Sequence, residues 1–231
     1  MSVRYAIYYA PGRESPWWAF GATWLGRDEQ RDLPLPRPAI DGVCGDGMNA
    51  LTAQPRRYGF HATLKAPFRL RQGVAVDDLR WRLRSFAQGR RAVPIGPLAP
   101  VVMDGFVALV PAAPNPALQT LAACCVTELD GLRAPLGPGE RERRQIDPDD
   151  RRGNELFERY GYPHVLERFR FHMTLTGPVD AALARQLVAQ LARLVAQLNA
   201  LEPPVLDRLC LFVEPREGAA LLRVAEVRLN P

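Results

Sequence analysis

Hydrophobic and polar residues alternate in two short stretches of the chain that have closely similar sequences. The first stretch, residues 58–67, reads YGFHATLKAP, and the second, residues 169–178, reads FRFHMTLTGP. Alternation with a period of two is typical of a β-strand with one buried and one exposed face. We therefore predict a strand in each stretch, ended by its proline, because proline cannot donate a hydrogen bond within a sheet. A motif that occurs twice in this way indicates two half-domains that fold alike.

The polar faces of the two predicted strands carry similar side chains. Each face presents an imidazole and, two residues later, a hydroxyl. The residues on these faces are Gly59, His61, Thr63 and Lys65 in the first stretch and Arg170, His172, Thr174 and Thr176 in the second. If a pseudo-twofold axis relates the two strands, two imidazoles and two hydroxyls face each other across one cleft.

The rest of the chain predicts the same succession of helix, strand and strand after each copy of the motif. Capping residues and amphipathic spacing predict helices after Ser15 with Pro16 in the first position, after Asp77 and Asp78, after Asn115, within residues 154–166 and after Asp180. Strands are predicted at residues 4–10, 93–95, 105–110, 207–214 and 221–229. Two segments rich in proline and glycine, residues 33–57 and 133–152, are predicted as a loop beside the first motif and as an exposed crossover.

The composition is that of an ordinary soluble globular protein. Of the 231 residues, 47% are hydrophobic and 24% are charged, and no apolar run approaches the ~18 residues of a membrane span. The four cysteines show neither CxxC spacing nor a disulfide framework, so we predict reduced thiols in a cytoplasmic protein without membrane contact. The net charge of +5 is a weak indication of anionic partners. Nothing in the sequence indicates the oligomeric state.

Lys65 is the only lysine among the 30 basic residues of the chain. Its ammonium is a compact point charge that suits a phosphate oxygen, so we predict that Lys65 contacts phosphate from the polar face of the first strand. The alternative is that a single lysine remains by chance in an arginine-rich composition. The third histidine, His164, has no threonine two residues later and is predicted to be a surface or packing residue.

The motifs that would indicate metal or nucleoside-triphosphate chemistry are absent from the sequence. It contains no HExxH, no cluster of metal ligands, no P-loop and no GxSxG, so we predict neither a metal nor a cofactor. What remains is a pair of imidazoles with neighbouring hydroxyls. Because histidine titrates near pH ~6.5, one imidazole can act as a general base while the other acts as a general acid. Hydroxyls stabilise negative charge on phosphate oxygens, so this set of side chains suits metal-free transfer at a phosphate ester.

The paired F-H-x-T-L motifs resemble the 2H phosphoesterase (LigT-like) superfamily, which includes RNA 2',3'-cyclic phosphodiesterases and the 2'-5' RNA ligases. Within it, residues 4–11, 58–68 and 209–215 look like the DUF1045 branch, which is associated with bacterial phosphonate-degradation operons. The resemblance implies an α+β fold in which two pseudo-symmetric lobes of antiparallel-type sheet, with outer helices, flank a central cleft. We therefore expect residues 1–231 to form a single bilobal domain.

The resemblance also implies roles for particular residues. Those it marks as catalytic are His61 and His172, and those it marks as phosphate-binding are Thr63 and Thr174. Strand alternation adds Lys65 and Arg170 as predicted phosphate ligands. Thr176 stands at the position that corresponds to Lys65, so the two halves are not equivalent. The sequence does not indicate which histidine is the base and which is the acid.

Three functions compete on this basis. The leading one is a metal-independent phosphodiesterase that hydrolyses a small cyclic phosphate of a sugar or a nucleotide, with a role in phosphonate degradation implied by the resemblance alone. The second is processing of RNA ends that carry a 2',3'-cyclic phosphate, which predicts a basic, aromatic-lined groove beyond the cleft. The third is a non-catalytic accessory protein that binds a phosphate ligand, although binding alone needs no second imidazole. A purely structural role for both histidines is the remaining alternative.

Overall fold

The computed structural model describes residues 3–137, 139–140 and 146–231, and it has an α+β fold with small antiparallel sheets. The predicted fold class is therefore confirmed. The strands are β1 (Arg4–Tyr9), β2 (Arg27–Asp28), β3 (Leu33–Pro34), β4 (Ala62–Phe68), β5 (Val93–Pro94), β6 (Leu98–Met103), β7 (Phe106–Pro111), β8 (Met173–Thr174), β9 (Val205–Leu206), β10 (Arg208–Glu214) and β11 (Leu222–Arg228). The helices are α1 (Pro16–Leu25), α2 (Gly45–Arg56), α3 (Val76–Gln88), α4 (Pro116–Glu128), α5 (Arg151–Tyr160) and α6 (Ala181–Leu201). Part of the predicted crossover at residues 133–152 lies outside the described residues.

Each copy of the motif lies on the edge strand of its own sheet. The first copy contains β4, which ends a four-stranded antiparallel sheet in the order β11-β10-β1-β4. The second copy contains β8, which ends a three-stranded antiparallel sheet in the order β6-β7-β8. The helix that follows each motif covers the same sheet, since α3 contacts β10 and β11 and α6 contacts β6 and β7.

The two halves of the chain exchange their hairpins. The β6–β7 hairpin follows the first motif in sequence but pairs with β8 of the second motif. The β10–β11 hairpin follows the second motif but joins the sheet of β1 and β4. The short strands β5 and β9 occupy corresponding places after α3 and α6, and they pair antiparallel with each other. Pairing of equivalent strands across the halves is the arrangement that a pseudo-twofold axis produces.

Three predicted helix starts are confirmed by their capping hydrogen bonds, whereas α3 begins at Val76, before Asp77, and α5 runs from Arg151 to Tyr160 rather than within residues 154–166. The Ser15 hydroxyl accepts from the backbone N–H of Trp17 at 3.1 Å, and the side chains of Asn115 and Asp180 cap α4 and α6 in the same way. Such caps satisfy N–H groups that have no partner within the helix. In α1, Trp17 and Trp24 are each only 1% exposed, so the tryptophan-rich helix packs into the core.

The strand of the first motif does not end at its proline, since β4 runs through Pro67 to Phe68. Two further local predictions were wrong, and one strand was missed. Residues 33–57 contain helix α2 rather than a continuous loop: Met48, Leu51, Thr52 and Pro55 recur at helical spacing and are buried. The glycines and the proline of this segment concealed that pattern, yet α2 tolerates Pro55 in its last turn. Strand β6 was not predicted. The second motif forms a strand only over Met173–Thr174, because β7 pairs with just these two residues.

One hydrophobic cluster joins the two sheets. It contains Leu64 from β4 and Met173 from β8, together with the buried faces of α3, α4 and α6. In the part of the chain that the structure describes, no helix is long and apolar enough to cross a membrane.

Candidate active site

The repeated motifs meet at one cavity of about 320 Å³, which we call the central cavity. It is lined by His61 and Thr63 from the first motif and by His172 and Thr174 from the second. Four residues predicted as site residues therefore lie around a common space, although they come from edge strands of two different sheets. A smaller cavity of about 180 Å³, the side cavity, shares Thr63 and His172 with the central one.

The ring of His61 is held by its own backbone turn. Its Nδ1 lies 2.9 Å from the carbonyl oxygen of Gly59. A carbonyl can only accept, so Nδ1 carries the proton in the neutral ring and Nε2 is left with a lone pair. Gly59 adopts a φ of 78°, a left-handed conformation that favours glycine. Nε2 of the neutral ring accepts a hydrogen bond from the hydroxyl of Thr63, whose oxygen lies at 3.2 Å.

His172 repeats this arrangement. Its Nδ1 lies 2.7 Å from the carbonyl oxygen of Arg170, again the residue two positions earlier. The same argument leaves Nε2 of His172 unprotonated in the neutral ring. The ring of Phe106 lies 6.0 Å from the imidazole. The two motifs therefore share their local geometry as well as their sequence, and each makes an imidazole available as a base.

Aromatic side chains that the sequence analysis did not identify surround His61. The ring of Tyr8 stacks on the imidazole with centroids 4.0 Å apart and an interplanar angle of 28°. Tyr58 and Phe212 lie at 6.0 Å and 6.3 Å. Burial raises the pKa of the Tyr8 phenol, so Tyr8 acts as a neutral packing surface. Tyr8 reaches this place because β1 pairs it with Thr63, a register that the sequence does not reveal.

Burial makes both histidines weaker bases than in water. It lowers the pKa of His61 from 6.5 to about 4, with a smaller opposing effect from the Gly59 carbonyl and a further lowering by the nearby charge of His172. Burial also lowers the pKa of His172, whose neighbours act in both directions: the Arg170 charge lowers it and the Asp104 carboxylate raises it. Both rings are consequently neutral at pH 7 in the free protein. His172 is the ring that has a carboxylate nearby to favour its charged form.

Thr174 and Thr176 both line the central cavity, and the contacts of Thr176 show that it has a structural role. The hydroxyl of Thr176 is buried, donates to the carbonyl oxygen of Gly177 at 2.7 Å and accepts from the N–H of Val107 at 2.9 Å. Those bonds hold the end of the second motif against β7. Thr174 stands in the position equivalent to Thr63, on the strand that follows its histidine.

The ammonium of Lys65 does not line the central cavity. The side chain is only 3% exposed, and Nζ donates to the carbonyl oxygen of Val126 at 3.2 Å and to Asp130 at 3.0 Å. Lys65 was predicted to lie on the same face of the strand as His61, and this prediction was wrong. The pairing register between β1 and β4 shifts between Ile7 and Tyr8. A shift of this kind interrupts the alternation of faces, and it turns Lys65 into the protein interior.

Arg170 and His164 both line the side cavity. Arg170 is exposed and forms an ion pair with Asp104, so it contacts the space beside His172 rather than the space between the two imidazoles. His164 lies with its ring at 5.4 Å from that of Tyr162. Within the described residues, no three side chains of His, Cys, Asp or Glu come together in a way that could hold a metal ion.

Comparison with known proteins shows the family of this chain. Residues 63–222 match the family described as "Protein of unknown function (DUF1045)". Two relatives carry the name "Ribose 1,5-bisphosphate phosphokinase PhnN": the one from Janthinobacterium sp. (strain Marseille) is 36% identical over 94% of this chain, and the one from Laribacter hongkongensis (strain HLHK9) is 38% identical over 94%. The chain covers 49% and 50% of these two proteins, so it spans about half the length of the relatives it matches. The chain therefore belongs to the DUF1045 family.

Proposed function

We propose that the protein is a metal-independent phosphodiesterase of the 2H phosphoesterase type that hydrolyses a small cyclic phosphate. One observation carries the proposal: two imidazoles, each anchored through Nδ1 to the carbonyl oxygen two residues earlier, line the same cavity. Each leaves Nε2 available for proton transfer. Histidines that served only packing would require neither the repeated anchoring nor a shared cavity.

In the proposed reaction, His61 is the general base and His172 is the general acid. Nε2 of His61 takes a proton from water while the water oxygen bonds to phosphorus. The P–O ester bond on the opposite side breaks, and the leaving oxygen takes the proton of Nε2 of His172, which yields a phosphomonoester and a hydroxyl. His61 is assigned as the base because burial lowers its pKa to about 4 and keeps it neutral, whereas the Asp104 carboxylate partly offsets the lowering of the pKa of His172 by burial and by the Arg170 charge. A bound phosphate anion opposes this lowering in both rings, because a nearby negative charge favours the protonated form.

Thr63 and Thr174 are proposed to stabilise the phosphate during the reaction. Their hydroxyls lie two residues after the histidines and line the central cavity. Donors directed at the non-bridging oxygens stabilise the charge that develops there. Lys65 is not part of this proposed set, since its ammonium bonds to Val126 and Asp130. Arg170 is proposed only as a contact for the part of a substrate that enters the side cavity.

The names of the relatives bear on the substrate rather than on the reaction. A phosphokinase of ribose 1,5-bisphosphate requires a site for a nucleoside triphosphate, yet this chain has no P-loop, and its one lysine lies in β4. We therefore assign the kinase activity to the half of those relatives that this chain does not cover. The half that it does cover is proposed to act on a related compound, a cyclic phosphate of ribose. The link to phosphonate degradation rests on the resemblance of the DUF1045 branch.

A substrate panel followed by phosphorus NMR tests the proposal. It compares cyclic phosphates of ribose with nucleoside 2',3'-cyclic phosphates and with an oligoribonucleotide that ends in a 2',3'-cyclic phosphate. Turnover of the ribose compound, lost by roughly 10²- to 10⁴-fold in His61→Ala and in His172→Ala, supports the proposal if both variants keep the melting temperature of the wild type. Preference for the oligonucleotide would favour RNA-end processing. Binding without turnover of any substrate would favour a non-catalytic protein.

A further inference from the structure

A second cavity opens from the central one and is lined by four arginines. This arginine cavity has a volume of about 410 Å³, and its arginines are Arg4, Arg57, Arg69 and Arg133. It shares Arg4, Tyr58, Ala66 and Pro67 with the central cavity. A molecule bound between the two imidazoles can therefore extend directly into the arginine cavity.

A buried carboxylate holds two of these arginines in place. Glu214 on β10 has a fully buried side chain and pairs with both Arg4 and Arg57. Its Oε1 also accepts from the N–H of Gly218 at 2.9 Å. One carboxylate thus orients two guanidinium groups and neutralises only one of their two charges. Side chains that are already fixed lose less entropy when they bind a ligand.

The contacts of the arginines leave donors for a ligand. Arg4 reaches Glu214 through Nε, and among the described residues neither terminal nitrogen of Arg4 has a hydrogen-bond partner. Arg69 bonds to the Pro135 carbonyl and to Glu140 through one nitrogen, Nη2. Arg133 differs, because its nitrogens bond to Asp130 and to backbone carbonyls. Arg57 also has a partner for each nitrogen, because Nε donates to the Ala219 carbonyl, Nη1 to the Tyr58 hydroxyl and Nη2 to Glu214. The donors that have no partner among the described residues therefore belong to Arg4 and Arg69.

We propose that the arginine cavity binds a second phosphate group of the substrate, one that is not hydrolysed. The substrate class is then a cyclic phosphate of a sugar that carries a further phosphomonoester on the same molecule; this inference rests on the proposed function. Guanidinium groups match phosphate because their planar donors can bond two oxygens at once. Two carboxylates, Glu140 and Glu217, also line the cavity, and Glu214 and Asp130 pair with its arginines. The phosphate is therefore recognised by the unpartnered donors of Arg4 and Arg69 rather than by an excess of positive charge.

Binding of a distant phosphate has a kinetic consequence. Contacts to a part of the substrate that does not react can hold the reacting phosphorus against the two imidazoles, and they then raise kcat/KM for the complete substrate. The enzyme is expected to prefer a ribose cyclic phosphate with a phosphate on O5 over the same compound without it. The ratio of the two kcat/KM values measures the contribution of the arginine cavity.

The test compares that ratio in the wild type with the ratio in Arg4→Gln, Arg69→Gln and a control. The control is Arg71→Gln, since Arg71 is exposed and lies two residues from Arg69. Loss of one charged hydrogen bond to phosphate predicts a fall in the ratio of about 10- to 100-fold for each cavity variant. Arg71→Gln is expected to keep the wild-type ratio. A ratio near one in the wild type, or an equal ratio in all variants, overturns the inference.

Calorimetric titration with inorganic phosphate separates this inference from the proposed function. If the wild type hydrolyses neither ribose compound, the proposed function fails, and the titration still examines the arginine cavity. Phosphate binding that persists in the double variant His61→Ala/His172→Ala, and weakens by about tenfold or more in Arg4→Gln and Arg69→Gln, supports an anion site there. Binding that is lost with the histidines and kept without the arginines overturns it. Thermal melts check that each variant is folded.

Discussion

Because the imidazole of His61 is partly buried, we predict that the protein loses stability as the pH falls from about 6.5 to about 4. In the unfolded chain the ring takes up a proton near its ordinary pKa of 6.5, whereas in the folded protein it does so only near pH 4. Between these values the unfolded state binds more protons than the folded state. His61 therefore stabilises the folded protein fully above pH 6.5. This stabilisation is lost as the pH falls from 6.5 to the pKa of the folded protein, about 4.

The size of the effect follows from the difference between the two pKa values. Each pKa unit corresponds to about 1.4 kcal/mol, so a fall from 6.5 to about 4 corresponds to about 3 kcal/mol. The ring lies at the wall of a cavity and is only half-buried, which lets water reduce the effect. We expect a loss of about 2 kcal/mol between neutral pH and pH 4 from this one residue.

Urea unfolding of the wild type and of His61→Asn, measured from about pH 7.5 to about pH 4, checks this value. Other groups, including His172 and the carboxylates, also titrate in this range, but they do so in both proteins. The wild type is expected to lose about 2 kcal/mol more than His61→Asn on acidification. Parallel curves for His61→Asn and the wild type would refute the argument.

Further predictions concern turnover. His61→Ala and His172→Ala combined should cost less than the product of their separate losses, because residues that act as a unit are not additive; a strictly multiplicative loss in kcat would count against a shared reaction. Lys65→Met should change kcat/KM little but lower the free energy of unfolding by about 1–3 kcal/mol, since Asp130 and Val126 lose a buried donor; a large kinetic loss with unchanged stability would restore Lys65 to the site. Activity should survive EDTA, and loss of turnover that a divalent ion restores would contradict a two-histidine reaction. kcat/KM should fall by about tenfold per pH unit above the lowered pKa of His172, as His172 loses its proton; a plateau up to pH 8 would remove His172 as the acid.

Some residues of the candidate site could be predicted from the sequence pattern, and others depended on the fold. The doubled H-x-T motif pointed to His61, His172, Thr63 and Thr174 without any structure, because spacing along a strand places these side chains on one face. Lys65 has the same spacing, but its side chain lies in the protein interior, outside the central cavity. A register shift between β1 and β4 breaks the alternation on which that prediction depended, and register is a property of the pairing between strands rather than of either strand alone.

Local rules were sufficient for most helices and insufficient for elements that depend on partners. Ser15, Asn115 and Asp180 form their caps with the next few residues, so sequence neighbours contain the necessary information. Helix α2 and strand β6 were missed because their glycines and prolines weigh against regular structure locally. Burial of one face of α2 against α1 and pairing of β6 with β7 outweigh those preferences.

The sequence by itself determined the fold class, the doubled motif and four of the residues that line the central cavity. Only the tertiary structure decided that the two motifs face one cavity, that Tyr8 stacks on His61, and that Arg4 and Arg57 are clamped by Glu214 beside it. The physical reason is the same in each case. These contacts join residues far apart in the chain, and they arise only when the halves exchange hairpins and β1 pairs with both β4 and β10.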